Sequence, residues 1–270
     1  MVELNTKYKI GKRRFGLVNW VGFISLYKKE TLRFLIVSGQ TILGPVLTGI
    51  LFLIVLSIAW GDDRGNVLGL PFIEFLAPGL ISMQVIQQSF SHTSSSLLGG
   101  KMMGNIIDLI GSPLSAGEVT LAIILASVSR AFIICFTSIF CFNFFVEISV
   151  LNYYYFLIYL TFSSFFMGAL GFIAGIWADR YDNMATITNF IIIPLSFLSG
   201  TFYSIDKLPN ILKEMSFYNP FFHMIDGLRF SMIGVSDGST TFSLIYLLCF
   251  NLVLWWVAYY LYKIGYKIKT

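Results

Sequence analysis

Charge is scarce in this chain. Of 270 residues, 14 are acidic and 18 are lysine or arginine, together 12%, against roughly 25% in a soluble domain. With 56% apolar residues, that shortage excludes a water-dispersed globule and points to a bilayer. Cysteine is rare too. Cys135, Cys141 and Cys249 all fall inside apolar runs and read as small buried hydrophobes, not as disulfide partners or metal ligands. The two histidines, His92 and His223, have no ligand-spaced neighbours and read as ordinary polar contacts. Nothing resembles a secretory leader, because the first apolar run starts near Phe34, behind a long basic segment, and is too long for an h-region.

Catalytic signatures are missing as well. There is no Gly-x-Ser-x-Gly elbow and no His-Glu-x-x-His pair, so an intramembrane enzyme has no support. "LLGGKMM" offers a Gly-Lys pair, but Ser95 stands where the first P-loop glycine belongs and Met102 where a hydroxyl must hold magnesium. The chain is therefore read as binding no ATP, no other cofactor and no metal. An ion-coupled carrier needs ionisable groups at membrane depth. Glu74, Glu118 and Glu147 sit at span ends, Asp108, Asp179 and Asp182 in cytoplasmic loops, and Arg130 alone near the middle of a span. No inverted repeat is visible either, so the energy for transport must come from elsewhere.

What is present is long apolar runs. A spanning helix needs about 20 such residues, and six runs are expected to cross: about 34–60, 72–98, 119–145, 153–177, 185–203 and 242–262. The expected fold is an all-α integral membrane protein, with residues 1–33 as a cytoplasmic segment, 34–262 as the transmembrane domain and 263–270 as a tail. Basic residues set the orientation. Lys7, Lys9, Lys12, Arg13, Arg14, Lys28, Lys29, Arg33, Lys101, Arg180, Lys263, Lys267 and Lys269 fall on one side, and only Arg64, Lys207, Lys213 and Arg229 on the other. Both termini are thus expected in the cytoplasm. The bases are spread along loops, not gathered in a patch, which argues against nucleic-acid binding.

Four shorter features carry the functional reading. "LVNWVGFISLYKKETLRF" repeats Leu17, Trp20, Val21, Ile24 and Tyr27 at helical spacing, an amphipathic helix read either as an interfacial anchor or as a mobile gating element. In span two, Gln84, Gln88, Ser91 and Ser95 form one helical stripe that either packs on a neighbour or lines a wet path. Arg130 is open to a structural or a substrate-facing role, and Gly168, Gly171 and Gly175 of span four let another backbone approach. Between Ser204 and Gly238 the chain starts and must finish on the outer side. Its broken apolar pieces around Pro209, Asn219, Pro220 and Arg229 read as two re-entrant helices or as a folded cap. The cytoplasmic loop "NIIDLIGSPLSAGE" holds a short apolar helix, Asn105, Ile106, Ile107, Asp108, Leu109 and Ile110, which either meets a partner surface or lies flat on the membrane.

Several stretches together resemble the permease subunit of a bacterial type 2 ABC transporter: "LYKKETLRF", "FLAPGLISM", "NIIDLIGSPLSAGE", "IIIPLSFLSGTFYSIDKLP" and "NPFFHMIDGLRF". The likeness runs from about Trp20 to Tyr262 and is greatest to small stand-alone drug-type or uncharacterised export permeases. It implies an interface helix before span one, a coupling helix at Asn105 to Ile110 seated in a separate ATPase subunit, and re-entrant helices at the exit. It also implies two ATPase copies using ATP and magnesium, a second permease, read as an identical copy, and a place in the bacterial inner membrane. A lipid-linked polysaccharide exporter of the same superfamily and an ion-coupled secondary carrier are the alternatives. The coupling loop carries only Lys101 and Asp108 as charges, so docking there would lean on apolar contact.

Overall fold

The computed structural model describes residues 18–60 and 66–268. Leu17, the N-terminal bases Lys7, Lys9, Lys12, Arg13 and Arg14, and Arg64 and Lys269 lie outside the described residues. The described residues are mostly helical, with one short antiparallel hairpin of two-residue strands, β1 (Asn66–Val67) with β2 (Leu70–Pro71). In order come α1 (Trp20–Ile36), a π turn (Gly39–Leu43), α2 (Gly44–Trp60), α3 (Phe72–Met102), α4 (Ile106–Gly111), α5 (Ala116–Phe142) and α6 (Tyr153–Trp177). Then follow α7 (Tyr181–Ile187), a second π turn (Thr188–Ile192), α8 (Ile193–Leu198), a 3-10 turn (Ile205–Lys207), α9 (Asn210–Tyr218), α10 (Pro220–Ile233) and α11 (Thr240–Ile264).

Among the described residues, four helices are long and apolar enough to cross a membrane: Gly39–Ala59, Ala116–Phe142, Tyr153–Trp177 and Thr240–Ile264. The 31-residue α3 is longer than any of these, about 46 Å at the helical rise, but its serines and glutamines dilute its apolar character. The apolar run at 185–203 becomes a helix that starts at Tyr181, is interrupted by the second π turn and stops at Leu198.

The centre of the molecule is α3, packed against α6, α5, α10 and α2. Glycines set how close these helices come. A Cβ on Gly171 would lie 2.2 Å from Thr93 Oγ1 and 2.4 Å from the Phe90 carbonyl oxygen, and one on Gly175 3.0 Å from Ser94 O. The face of α6 thus presses on the backbone of α3, and a Cβ on Gly168 would lie 2.3 Å from Ser127 Oγ of α5. The close approach expected of these glycines is what they provide. By contrast α2 and the helix over 181–198 lie at the periphery with large apolar residues exposed, among them Leu47, Leu51, Val55, Phe190 and Ile191.

Helix α1 presents two faces. Trp20, Val21 and Ile24 are exposed, Trp20 by 64%, and the buried side carries Leu26, Glu30 and Phe34. Of the expected apolar stripe, Tyr27 turns inward, its hydroxyl 2.5 Å from Ser129 Oγ. Glu30 accepts a hydrogen bond from Ser96 on α3, which pairs a carboxylate that composition places outside.

Candidate functional site

Two cavities flank α3. One, of 340 Å³, lies against α2 and is lined by Gln40, Thr48, Phe52, Gln84, Gln87 and Gln88, among others. The other, of 210 Å³, lies against the 181–192 segment and takes in Gln87, Ser91, Ser94, Ser95, Tyr181 and Thr188. The four stripe residues therefore divide, Gln84 and Gln88 to the first cavity and Ser91 and Ser95 to the second. Three of the four, all but Ser91, also serve packing. Ser138 Oγ of α5 donates to Gln84 Oε1 at 2.6 Å, Arg130 donates to Gln88 Oε1, and Arg33 reaches Ser95 Oγ at 3.4 Å.

Behind this stripe sits a buried polar cluster. Arg130 also reaches the carbonyl of Thr41 in the first π turn, at 3.4 Å, where the widened turn leaves a carbonyl open to an outside donor. Arg33 pairs with Glu30 at 3.0 Å and donates to His92 O at 2.9 Å. Glu30 is only 4% exposed, and with Ser96 it ties the end of α1 to α3. His92 corrects the reading of both histidines as ordinary polar contacts: it is fully buried and neither ring nitrogen has a partner, although Phe34 meets it edge-on. His223 does fit that reading, between Ser243 Oγ and Phe217 O at 2.8 Å each. Arg130 is likewise not the sole buried charge, because Glu30, Asp226 and Arg229 are buried as well. The spacing of Glu30 and Arg33, three apart before an apolar run, was the available signal for the first of these.

At one end of the helix bundle, α4 lies in the connection between α3 and α5. Ile106 is buried and Ile107 is 71% exposed, with Ile110 also exposed. Asn105 is its N-cap without a side-chain bond, Asp108 lies in its first turn, and Leu109 packs on the core beneath. The Ser115–Glu118 capping box starts α5. The same Glu118 accepts from the backbone N–H of Asn19 at 2.6 Å, and Asn19 Nδ2 donates to Pro113 O at 3.0 Å. One carboxylate thus joins the starts of α1 and α5 beside α4. Sequence reading placed Glu118 only at a span end; the Ser-x-x-Glu spacing marks the box, but nothing local marks its second partner.

Two further knots close the ends. Lys101 Nζ, at the end of α3, donates to Ile176 O at 2.9 Å and Ala178 O at 2.7 Å, and Lys267 Nζ donates to Trp177 O at 3.1 Å. Both lysines share Asp179, which holds its carboxyl below the usual range, chiefly through the hydrogen bond from Lys267. At the opposite end Arg229 is fully buried, donates to Gly200 O at 2.6 Å and lies 3.9 Å over the Phe75 ring. Pro209 precedes α9 and Pro220 opens α10. Between these two helices Asn219 bonds Ser199 Oγ at 2.7 Å and Leu195 O at 3.3 Å. Asp237 accepts from Ser204 at 2.5 Å. The turn after α8 is therefore held from α10 and from the link to α11.

The comparisons with known proteins bear on the whole of this arrangement. The chain is 29% identical over 240 residues to the inner membrane transport permease YadH of Escherichia coli (strain K12), a match covering 87% of this chain and 94% of that protein. It is 25% identical over 233 residues to Nodulation protein J of Neorhizobium galegae, covering 81% and 83%. It is 23% identical over 226 residues to the Rhizobium leguminosarum bv. viciae protein of that name, covering 81% and 84%. The ABC-2 type transporter family matches over residues 21–233, from the start of α1 through the end of α10. This chain belongs to the ABC-2 type transporter family and is a multi-pass membrane transport permease.

Proposed function

We propose that this chain is the membrane subunit of an ATP-driven export complex, with two copies side by side and a separate ATPase dimer docked on the cytoplasmic face. Both termini are cytoplasmic and six segments cross the bilayer, α3 and the 181–198 helix joining the four more apolar ones. Helices α9 and α10 dip into the outer leaflet and return as the exit closure, in which Pro209, Asn219, Pro220 and Arg229 fix the bends. The observation that carries the reading is α4, an apolar turn with Ile107 and Ile110 exposed between two long helices. An exposed apolar face of this kind calls for a partner surface.

Motion would pass from α4 in two directions. Helices α3 and α5 continue directly from it. Through Glu118 and Asn19 it also moves α1, and through Glu30 and Ser96 α1 moves the middle of α3, where the glutamine cavity lies. ATP binding would favour one arrangement only through a differential affinity of the ATPase for the two permease states. The cargo path runs along α3 between the two copies, with Gln84, Gln88, Ser91 and Ser95 facing it and Arg130 setting the stripe. The experiment is Ile107→Asp in the co-purified complex. Export should fall to background with the permease still folded and still in the membrane, because a desolvated carboxylate in an apolar seat costs several kcal/mol. Unchanged coupling of ATP hydrolysis to export refutes the docking role of α4.

A further inference from the structure

A third cavity, of 450 Å³, lies against another face of the 181–198 helix than the serine-lined one. Phe90 and Ile192 line both, so these two side chains form the partition between them. The wall of the third cavity is aliphatic or aromatic throughout, and no lining residue carries a charge, a hydroxyl or an amide side chain. Water needs two to four polar partners to stay in such a site, and none is offered. Left empty, the cavity would forfeit dispersion contacts on every side. Its volume is that of a ligand site, within the usual range of about 300–1,000 Å³.

The dimensions identify the filler. Phe166, Leu170, Ala174 and Trp177 follow one face of α6 and form the floor. From Phe166 to Trp177 is about 16 Å at the helical rise, close to half of the roughly 30 Å hydrocarbon core of a bilayer. That is the depth reached by the tail of one leaflet. One end carries the marks of headgroup level. Lys267 Nζ donates to Trp177 O at 3.1 Å and stands 5.4 Å from the centre of its ring, and tryptophan and lysine both favour the membrane–water boundary. At the rim Trp177, Ile191 and Phe250 are exposed, so the groove opens onto the surrounding hydrocarbon.

The same groove leaves the 181–198 helix thinly supported. It packs on α6 through α7 and on α10 through α8, while the π turn between them, Thr188–Ile192, has a cavity against two of its faces. We infer that the 450 Å³ groove is a lipid-tail site: one acyl chain of a phospholipid lies in it, headgroup end at Trp177, and braces the π turn. The inference needs only the membrane class and this geometry, so it stands or falls apart from the export reading.

The test uses the full-length permease, as it assembles, in phosphatidylcholine nanodiscs. A trace of the lipid carries a carbene-generating diazirine in the middle of one tail, and labelled peptides are mapped by mass spectrometry. Residues 51–58 of α2, where Leu51, Val55 and Ile58 are exposed, report casual contact with the bilayer. Labelling per residue at 187–195 should exceed theirs about tenfold, a preference of about 1.4 kcal/mol over bulk lipid. Ala174→Phe and Leu170→Trp fill the groove from its floor, and each should bring 187–195 down to the unchanged level of 51–58. Equal labelling in the parent, or an excess that survives both variants, overturns the site. An excess found only in nanodiscs holding a single chain means that a second copy fills the groove, and the lipid assignment fails. Native mass spectrometry gives a reading independent of the variants: one phospholipid should remain per purified chain, and detergent alone or nothing retained overturns the site. Hydrogen exchange tests the brace. Stripping lipid should speed exchange at 187–192 about tenfold in the parent and leave it unchanged in Ala174→Phe; no change in the parent removes the brace.

Discussion

Two glycines on one helix, three residues apart, should respond differently to the same added methyl group. Alanine is about 1 kcal/mol better than glycine inside a helix, so Gly→Ala is favourable unless the new Cβ collides. At Gly171 it would lie 2.4 Å from the Phe90 carbonyl oxygen as well as 2.2 Å from Thr93 Oγ1. A carbon and a carbonyl oxygen keep about 3.3–3.6 Å apart, so α3 would have to retreat by about 1 Å along a tightly packed seam. Overpacking of this sort costs about 1–3 kcal/mol, and the net effect is a loss. At Gly168 the intolerable contact is a side chain, Ser127 Oγ at 2.3 Å; the next atom is Ile124 Cγ2 at 3.3 Å. Ser127→Ala should therefore rescue Gly168→Ala and recover about 1 kcal/mol or more of coupling. Thr93→Ala should leave Gly171→Ala destabilised, because the Phe90 backbone remains. Thermal unfolding of the purified single and double variants in one detergent measures this, with Gly171→Ala expected about 3–6 °C below the parent. Equal rescue at both sites, or a Gly171→Ala variant as stable as the parent, refutes the claim that backbone contact sets the α3–α6 distance.

Further outcomes follow from the knots at each end. Arg229→Leu strips the Gly200 and Thr201 carbonyls of their donor and should cost about 2–3 kcal/mol, read as a lower unfolding temperature and as faster proteolysis within 199–209; unaltered protease resistance would rule out the latch. Asp179 has a depressed carboxyl pKa, so its stabilisation of the C-terminal turn is complete above the unfolded carboxylate value of about 3.9 and fades as pH falls below it. Hydrogen exchange at 265–268 should thus be flat from pH 7 to 5, after correction for intrinsic rates, and lose protection at lower pH. In Asp179→Asn that acid-dependent step should be gone, and a step that persists would assign the effect to another group.

The membrane class, the broken segment before α11, the short helix between α3 and α5 and the close-packing glycines were all legible in the amino-acid order. Each depends on run length, on interruption by proline or charge, or on spacing within a few turns, and these are properties of neighbours along the chain. Family resemblance was legible for the same reason, since the recurring stretches are local. What the tertiary structure alone decided are the partnerships across long separations: Asn19 with Glu118, Glu30 with Ser96, Arg130 with Gln88, Lys101 with Asp179. Glu30 shows why. Composition alone would leave its carboxylate in water, but a hydroxyl on α3 and an arginine three residues away hold it in a buried position. Orientation of a helix, and of an amide on it, is set by the group that meets it, and that group can lie anywhere in the chain.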